Sequence, residues 1–286
     1  MNLSVREARV AAGLAELERW LADQVRHGLA AAGERDWAEQ ARRLVDAQAP
    51  GVAGMVSRLG RVPADGLLGQ YALVNLLAVA YRNRGELPGP LVETVLSRVG
   101  FTVVKDRVLA GPAVRDVWVV VGVREEAQDR LVARRVWLRG RGSGRAALLL
   151  TFAPNGQPHP PAPRAGDVLD AALAFYPGAA PLRALVVGEV SAVAFVPPGS
   201  TVEEALDEVA ATIAADPWTE SWPLVLSGVI PGNTHVGGLP LHPAAHDPWR
   251  LIAVSGGAPV TVAVEWTPQG LIPMATWTDD GLAVTL

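Results

Sequence analysis

Cysteine is absent from all 286 residues of this sequence. The chain therefore forms no disulfide, offers no thiolate nucleophile and holds no zinc through cysteine ligands. The absence does not fix a redox compartment, because a protein without cysteine is stable in either one.

Long apolar runs are also missing. Stretches such as ALLLTFA fall well short of the ~20 consecutive apolar residues that a membrane-spanning helix needs. The N-terminus, MNLSVREARV, is charged and lacks the apolar core of a signal peptide. We therefore expect a soluble, cytoplasmic protein.

Charged residues are scarce and unevenly placed. They make up 19% of the chain, against 50% hydrophobic residues, which is typical of a folded protein with a sizeable core. Residues 105–145 hold ten Lys or Arg and five Asp or Glu, whereas residues 146–286 hold three and thirteen. Either these segments neutralise each other within one domain, or the basic segment presents a surface to an anion.

The first hundred residues have the periodicity of helices. Apolar residues at steps of three and four predict an amphipathic helix over 5–30, and Ser4 with Glu7 makes a capping box at its start. Turn sequences such as RVPADG and RGELPGP separate the further helices, which are predicted at about 35–48, 51–59, 67–82 and 90–98.

The pattern changes near residue 103. Runs rich in β-branched residues, separated by REEAQD and RGSG, predict an antiparallel meander of strands at 117–123, 130–140 and 145–153. The predicted fold class is α+β: a helical domain over 1–103, then an antiparallel β-rich domain over 104–286.

The β-rich part also has elements that are not strands. Residues 154–166 are too rich in proline for regular structure and predict a surface loop. A helix near 202–215 begins at one of two alternative capping boxes, Ser200 with Glu203 or Thr201 with Glu204. The tail is predicted to return to strands in WRLIAVSG, PVTVAVEWT and LIPMATWT.

Histidines offer the only candidate metal ligands that we single out. His242 and His246 are four residues apart, and His235 or Asp247 would be a third ligand, but the prolines around them disfavour a regular helix. We therefore expect no metal and no cofactor. An enzyme with a His-based metal site remains an alternative.

The glycine-rich stretch GRGSGR, residues 140–145, has two interpretations. Its amides are able to cradle a phosphate, but it lacks the spacing of a P-loop and joins two strands. A tight hairpin explains its glycines without a ligand. The sequence also lacks the G-x-S-x-G pattern of a nucleophile elbow.

Candidate interaction residues lie in the basic segment. Arg134 and Arg135 point to opposite faces of their strand, and one of them shares the face of Trp137. At least one guanidinium then needs a carboxylate or a ligand anion, and a structural ion pair is the default interpretation. Arg145 is a further candidate interaction residue in the basic segment.

Trp218 and Trp222 are predicted to be buried in the core, where their indole N–H groups need hydrogen-bond acceptors.

Asp46 and Gln48 precede the break at Pro50-Gly51. We interpret them as hydrogen-bonding groups at a helix end that fix the turn. The alternative is that they anchor the helical part to the sheet domain or to a partner.

Six stretches in order resemble one protein family: GLAELERWLADQVRHGLA, ARRLVDAQAPGVAGMVSRL, LVARRVWLRGRGSGRAALLLTFA, LDAALAFYPGAAPLRALV, DPWTESWPLVLSGVIP and WRLIAVSGGAPVTVAVEW. They are similar to the region downstream of the finger in bacterial SWIM zinc-finger proteins. The finger's C-x-C…C-x-H ligands carry over to no residue here. Such proteins are often encoded beside MoxR-type AAA+ ATPases and von Willebrand factor A-like (VWA) proteins, and the resemblance therefore implies an adaptor role in such a system.

Our leading hypothesis is a non-enzymatic interaction module that binds a protein partner, a AAA+ ATPase or its VWA companion. The candidate contact residues are Asp46, Gln48, Arg134, Arg135, Trp137 and Arg145. The first alternative is a nucleic-acid-binding protein that uses the basic segment 105–145, and the second is the enzyme with a His-based metal site.

Overall fold

A computed structural model describes residues 4–28, 33–128, 131–157, 159, 161–194, 197–245, 248–278 and 280–286. The chain divides into two compact units. The helical unit comprises Met1–Val104 with Pro177–Ala179 and Ala215–Trp218, and the β-rich unit comprises Lys105–Tyr176, Ala180–Ala214 and Thr219–Leu286. The predicted fold class, a helical part followed by an antiparallel β-rich domain, is confirmed. None of the helices in the described ranges is both long and apolar enough to span a membrane.

The described part of the helical unit consists of consecutive helices, which are α1 (Val5–His27), α2 (Glu34–Asp46), α3 (Pro50–Arg58), α4 (Ala64–Arg82) and α5 (Gly89–Val99). The predicted capping box begins α1: the Glu7 N–H donates to the Ser4 hydroxyl, and the Ser4 N–H donates to the Glu7 carboxylate. The apolar stripe of α1 is buried against residues of α2, α3, α4 and α5. Its members are Val10, Leu14, Leu17 and Leu21.

A close approach of two helices shapes the turn between α2 and α3. Pro50 is the first residue of α3, a position where its missing N–H costs nothing. A Cβ atom on Gly51 would lie only 2.1 Å from the Arg98 carbonyl oxygen, near the end of α5. Only glycine therefore lets α3 and α5 pack this closely.

Two short segments from later in the chain complete the helical unit. Trp218 is buried in its core and donates its indole N–H to the Leu73 carbonyl at 2.9 Å. Asp216 pairs with Arg98 at 2.8 Å, and the Ala179 N–H donates to the Thr94 hydroxyl at 2.9 Å. The buried position predicted for Trp218 is confirmed. The sequence, however, assigned both segments to the β-rich domain.

The β-rich unit begins with a short helix, α6 (Lys105–Leu109), and a closed barrel of β1 (Ala113–Gln128), β2 (Leu131–Gly140), β3 (Ala146–Pro154), β4 (Asp167–Phe175) and β5 (Arg183–Ala194). The barrel order is β1-β2-β3-β5-β4, with β3 and β5 parallel. Five strands in this order form a Greek-key barrel of the OB-fold type. The predicted meander of β1 to β3 is confirmed, but REEAQD is not a turn, because β1 continues to Gln128.

A second sheet packs on the barrel and has the order β11-β10-β9-β6. Its strands are β6 (Trp222–Val229), β9 (Val260–Thr267), β10 (Gly270–Trp277) and β11 (Ala283–Thr285). A small hairpin of β7 (His235–Val236) and β8 (Leu239–Pro240) follows β6. The inward residues of the barrel include Trp118 and Val120, whereas Val119 and Val121 of the same strand face the second sheet.

Two helices complete this unit, α7 (Val202–Ala215) and α8 (Pro248–Ser255). Thr201 with Glu204 is the capping box that forms at α7, while the Ser200 hydroxyl donates to the Val225 carbonyl instead. The strand predicted for WRLIAVSG is wrong, because these residues lie in α8. Leu251 and Ser255, four residues apart, form its buried face, which is a helical spacing.

Gly51→Ala should destabilise the helical unit by about 1–3 kcal/mol, because its Cβ overlaps backbone atoms of α5. Gly69→Ala is the matched control: no atom lies within 4 Å of its Cβ, and the change should stabilise α4 by about 0.5–1 kcal/mol. Urea denaturation of both full-length variants measures the difference. Equal effects would contradict the close packing of α3 and α5.

Candidate interaction sites

The paired arginines of the basic segment are held by carboxylates. Arg134 lies opposite Glu125 on the neighbouring strand and donates to its carboxylate at 2.8 Å. Arg135 lies 3.3 Å from the Glu265 carboxylate and 3.4 Å from that of Glu126. The predicted structural ion pairs are confirmed, and for Arg134 the carboxylate comes from within the basic segment itself.

Glu265 is the most deeply buried of these carboxylates, with 1% of its surface exposed. It lies on β9 and contacts two guanidiniums of the barrel strands, those of Arg124 and Arg135. A buried carboxylate is stable only with such compensation. This cluster therefore links the second sheet to the barrel through opposite charges.

A second cluster of the same kind forms around Glu208 on α7. Its carboxylate accepts hydrogen bonds from Arg139, at 2.9 Å, and from the Trp222 indole, at 2.7 Å. Arg115 pairs with Asp170 at 3.0 Å. Acidic residues after position 145 thus neutralise basic residues before it, which favours the first of the two interpretations of the charge pattern.

Trp137 does not reach the surface. It is fully buried in the core between the barrel and the second sheet, together with Met274 and Trp277. This side chain therefore supports the packing of the two sheets and offers no contact area to a partner.

The glycine-rich loop between β2 and β3 does bind an anionic group, which is the chain's own Asp116. The Asp116 carboxylate accepts hydrogen bonds from the N–H groups of Gly142 and Ser143, at 2.9 and 2.8 Å, and from the Ser143 hydroxyl at 2.6 Å. Burial by itself raises the pKa of Asp116, but these bonds and one from the Val117 N–H outweigh it and lower the pKa. The Gly142 and Ser143 amides, which the phosphate interpretation needs, are therefore already used, and the hairpin interpretation is favoured.

Arg145 contacts an aromatic side chain that packs on the barrel core. Its guanidinium stacks over the Phe175 ring at 3.7 Å, and Phe175 in turn packs on Trp118. Burial lowers the pKa of Arg145. The half-buried side chain therefore has a cation–π contact within its own unit.

Two of the three candidate metal-binding histidines lie in described segments. The Ala244 N–H donates to His242 Nδ1 at 2.9 Å, and His235 lies beside Thr234. Searching the described residues finds no group of three or more His, Asp or Glu side chains that could hold a metal. His246 lies outside the described residues, so the three-histidine site stays an untested alternative.

Asp46 and Gln48 lie at the surface of the helical unit, at the turn between α2 and α3. Gln48 has a left-handed backbone, with φ of 62°, and its backbone N–H donates to the Val45 carbonyl at 2.9 Å. The backbone of Gln48 thus contributes to the turn, and both side chains point into solvent.

An apolar stripe on α4 is an exposed feature of the helical unit that the sequence did not single out. Leu68 is 55% exposed and Leu76 is 43% exposed, with the exposed Ala72 midway between them. Spacing by four residues places all three on one face. The opposite face of α4 is buried and includes Leu67, Tyr71, Val74, Leu77, Ala78 and Tyr81.

The helical part of the chain is similar to a known domain family. Residues 5–99 match the SWIM-associated four-helix bundle domain. The match spans α1 to α5 and confirms the predicted resemblance to the region downstream of the SWIM finger. Comparisons with curated proteins and with solved structures found no match.

The α4 stripe lies within the residues that match this domain. A signal for this stripe was present in the sequence, since LLGQYALVNLLAVA is apolar on more than one side of the helix. A helix of that kind is usually covered on every side. Within the SWIM-associated domain, α4 is covered on one side only.

Glu265→Gln should lower the free energy of unfolding by about 1–3 kcal/mol, because two partly exposed guanidiniums lose their buried counter-charge. Glu126→Gln is the matched control, since this exposed partner of Arg135 should contribute less than about 1 kcal/mol. Urea titrations followed by tryptophan fluorescence measure both. If the two variants were equally stable, Glu265 would not be the link between the sheets.

Asp116→Asn should lower the free energy of unfolding by about 1–3 kcal/mol at pH 7, because the loop amides lose a charged acceptor. The folded-state pKa of Asp116 is lowered, so its stabilisation is complete above the unfolded-state pKa of about 3.9 and is lost as the pH falls through the folded-state pKa. Chemical denaturation between pH 7 and pH 3 should show the variant and the parent converging below about pH 4.

Asp170→Asn is the control for this experiment. It removes an exposed ion pair with Arg115 and should cost less than about 1 kcal/mol at pH 7. A difference between Asp116→Asn and the parent that stays constant down to pH 3 would show that the Asp116 charge is not what the loop holds.

Proposed function

We propose that the protein is a non-enzymatic interaction module whose SWIM-associated domain binds a protein partner through α4. The observation that carries this proposal is the exposed stripe of Leu68, Ala72 and Leu76. Apolar side chains aligned on one helix face gain free energy when a partner removes them from water. A helix with one buried and one exposed apolar face is suited to such a contact.

The partner that we propose is a MoxR-type AAA+ ATPase or its VWA companion. Support for this comes from the resemblance to SWIM zinc-finger proteins, which are often encoded beside such proteins. The family match to residues 5–99 supports the resemblance but names no partner. The role is then that of an adaptor, which contributes a binding surface and no reaction.

Nucleic-acid binding receives less support from the β-rich unit. Barrels of the OB type bind oligonucleotides on the outer face of their second and third strands. Here Trp137 of β2 is buried beneath the second sheet, and Arg134 and Arg135 are paired with carboxylates. The fold type alone does not assign the function.

The test is affinity capture from a lysate of the native organism, with quantitative mass spectrometry. The parent protein should recover a AAA+ ATPase or a VWA protein, and the double variant Leu68→Glu, Leu76→Glu should lose it by about tenfold or more, because a charge buried in an apolar contact costs well over 1.4 kcal/mol. Circular dichroism and Tm establish that the variant is folded.

The matched control introduces the same charges elsewhere on the domain, at Val25 and Val45, which are 50% and 56% exposed. The double variant Val25→Glu, Val45→Glu should retain the partner. Recovery of neither class of protein by the parent, or equal losses in both double variants, would rule out the proposed α4 contact.

A further inference from the structure

A groove between α1 and α2 has the features of a built binding site. It encloses about 380 Å³ and is lined by Arg9, Gly13, Glu16, Arg19, Gln40 and Arg43, among others. This volume lies within the range of pockets that bind small molecules or short peptide segments. From these residues we infer that the groove binds an acidic peptide segment of a partner protein. This inference rests on the proposed function and names the chemistry of the partner.

Gln40 is the strongest sign of a ligand. Its side chain lines the groove although only 3% of the residue is exposed. Among the described residues, its amide has no hydrogen-bond partner, and its N and O atoms are open to the groove rather than sealed in the core. An amide carries two donors and an acceptor, which a ligand in the groove is able to use. A peptide backbone presents the complementary N–H and C=O groups.

The charges of the groove favour an anionic ligand. Arg43 is already neutralised, since it pairs with Glu16 at 2.9 Å and with Glu39 at 2.6 Å. Arg9 and Arg19 are exposed, and neither has a carboxylate partner within the described residues. Two guanidiniums are therefore available to carboxylates of a ligand.

The spacing of these groups sets the length of the ligand. Arg9 and Arg19 are ten residues apart on α1, which is about 15 Å along the helix axis. An extended peptide rises about 3.3 Å per residue, so four to five residues span the distance. Gln40 lies on the opposite wall. The geometry thus suits a short extended segment with a carboxylate near each end.

The floor of the groove depends on a close approach of α1 to the end of α2. A Cβ atom on Gly13 would lie 2.4 Å from the Cβ of Ala47. Small side chains at these two positions allow the helices to approach closely, and longer polar side chains line the groove around this contact. The site is therefore a consequence of helix packing and does not depend on a loop.

The experiment uses the full-length protein and a fluorescein-labelled Glu-Glu-Leu-Glu-Glu-Leu hexapeptide, with its Gln-substituted counterpart as the neutral probe. Fluorescence anisotropy should show binding of the acidic peptide only. Arg9→Gln and Arg19→Gln should each weaken it about fivefold and reduce its salt dependence, because each removes a charge contact at the rim.

Arg42→Gln is the matched control, because Arg42 is exposed on α2 but does not line the groove. It should leave the peptide affinity unchanged. An equal loss in Arg42→Gln, or no binding of the acidic peptide at low salt, would overturn the inference. Inorganic phosphate that displaces the peptide at micromolar concentration would also overturn it, in favour of a small-anion site.

Gln40→Leu separates a binding role from a structural role. If the amide serves the ligand, the variant should bind the acidic peptide about threefold to tenfold more weakly, with a Tm equal to or above that of the parent. A lower Tm with unchanged affinity would show that Gln40 serves the fold and would overturn its assignment.

The two proposals fail separately. The capture experiment on α4 uses Leu68 and Leu76, neither of which lines the groove. If the parent captures its partner, the α4 variant loses it and the acidic peptide does not bind, the groove proposal is rejected and the proposed function stands. If the acidic peptide binds but the parent captures neither a AAA+ ATPase nor a VWA protein, the proposed class of partner is rejected.

Discussion

A carboxylate with almost no access to water, that of Glu265, organises the β-rich unit. It projects from β9 towards Arg124 and Arg135, which lie opposite each other on β1 and β2. The Glu265 charge would not be tolerated alone in this position, because the desolvation penalty of a buried ion exceeds what packing returns. The apolar core that includes Trp137 and Met274 joins the same two sheets, so hydrophobic burial and charge pairing specify the same arrangement.

The candidate interaction residues of the two units differ in whether they have an internal partner. In the β-rich unit, carboxylates occupy the guanidiniums and loop amides that a ligand would otherwise use, as at Glu208 and Asp116. In the helical unit, the stripe on α4 and the amide of Gln40 have no such internal partner among the described residues. Exposed apolar side chains gain free energy when a partner removes them from water. The proposed contacts therefore rest on these two features of the helical unit.

Local signals predicted most of the elements correctly. The capping box at Ser4, the α3 start at Pro50 and the strands of the meander all depend on residues close together in the sequence. The failures have particular causes. WRLIAVSG contains β-branched residues that are typical of a strand, yet its two buried side chains are four residues apart, as in a helix. REEAQD is rich in charged residues, which are typical of a turn, yet most of it belongs to β1, where its acidic residues lie opposite arginine and other residues of β2. In both cases tertiary packing overrode the local composition.

By itself, the sequence determined the fold class, the positions of most helices and strands, and the need of Arg134 and Arg135 for counter-charges. Only the tertiary structure decided which carboxylates meet which arginines, that the barrel closes through a parallel β3–β5 pair, and that Trp218 belongs to the helical core. It also decided which faces of α4 and α1 stay uncovered. The physical reason is that capping, turns and periodicity act over a few residues, whereas burial and charge pairing join groups more than a hundred residues apart, such as Arg135 and Glu265.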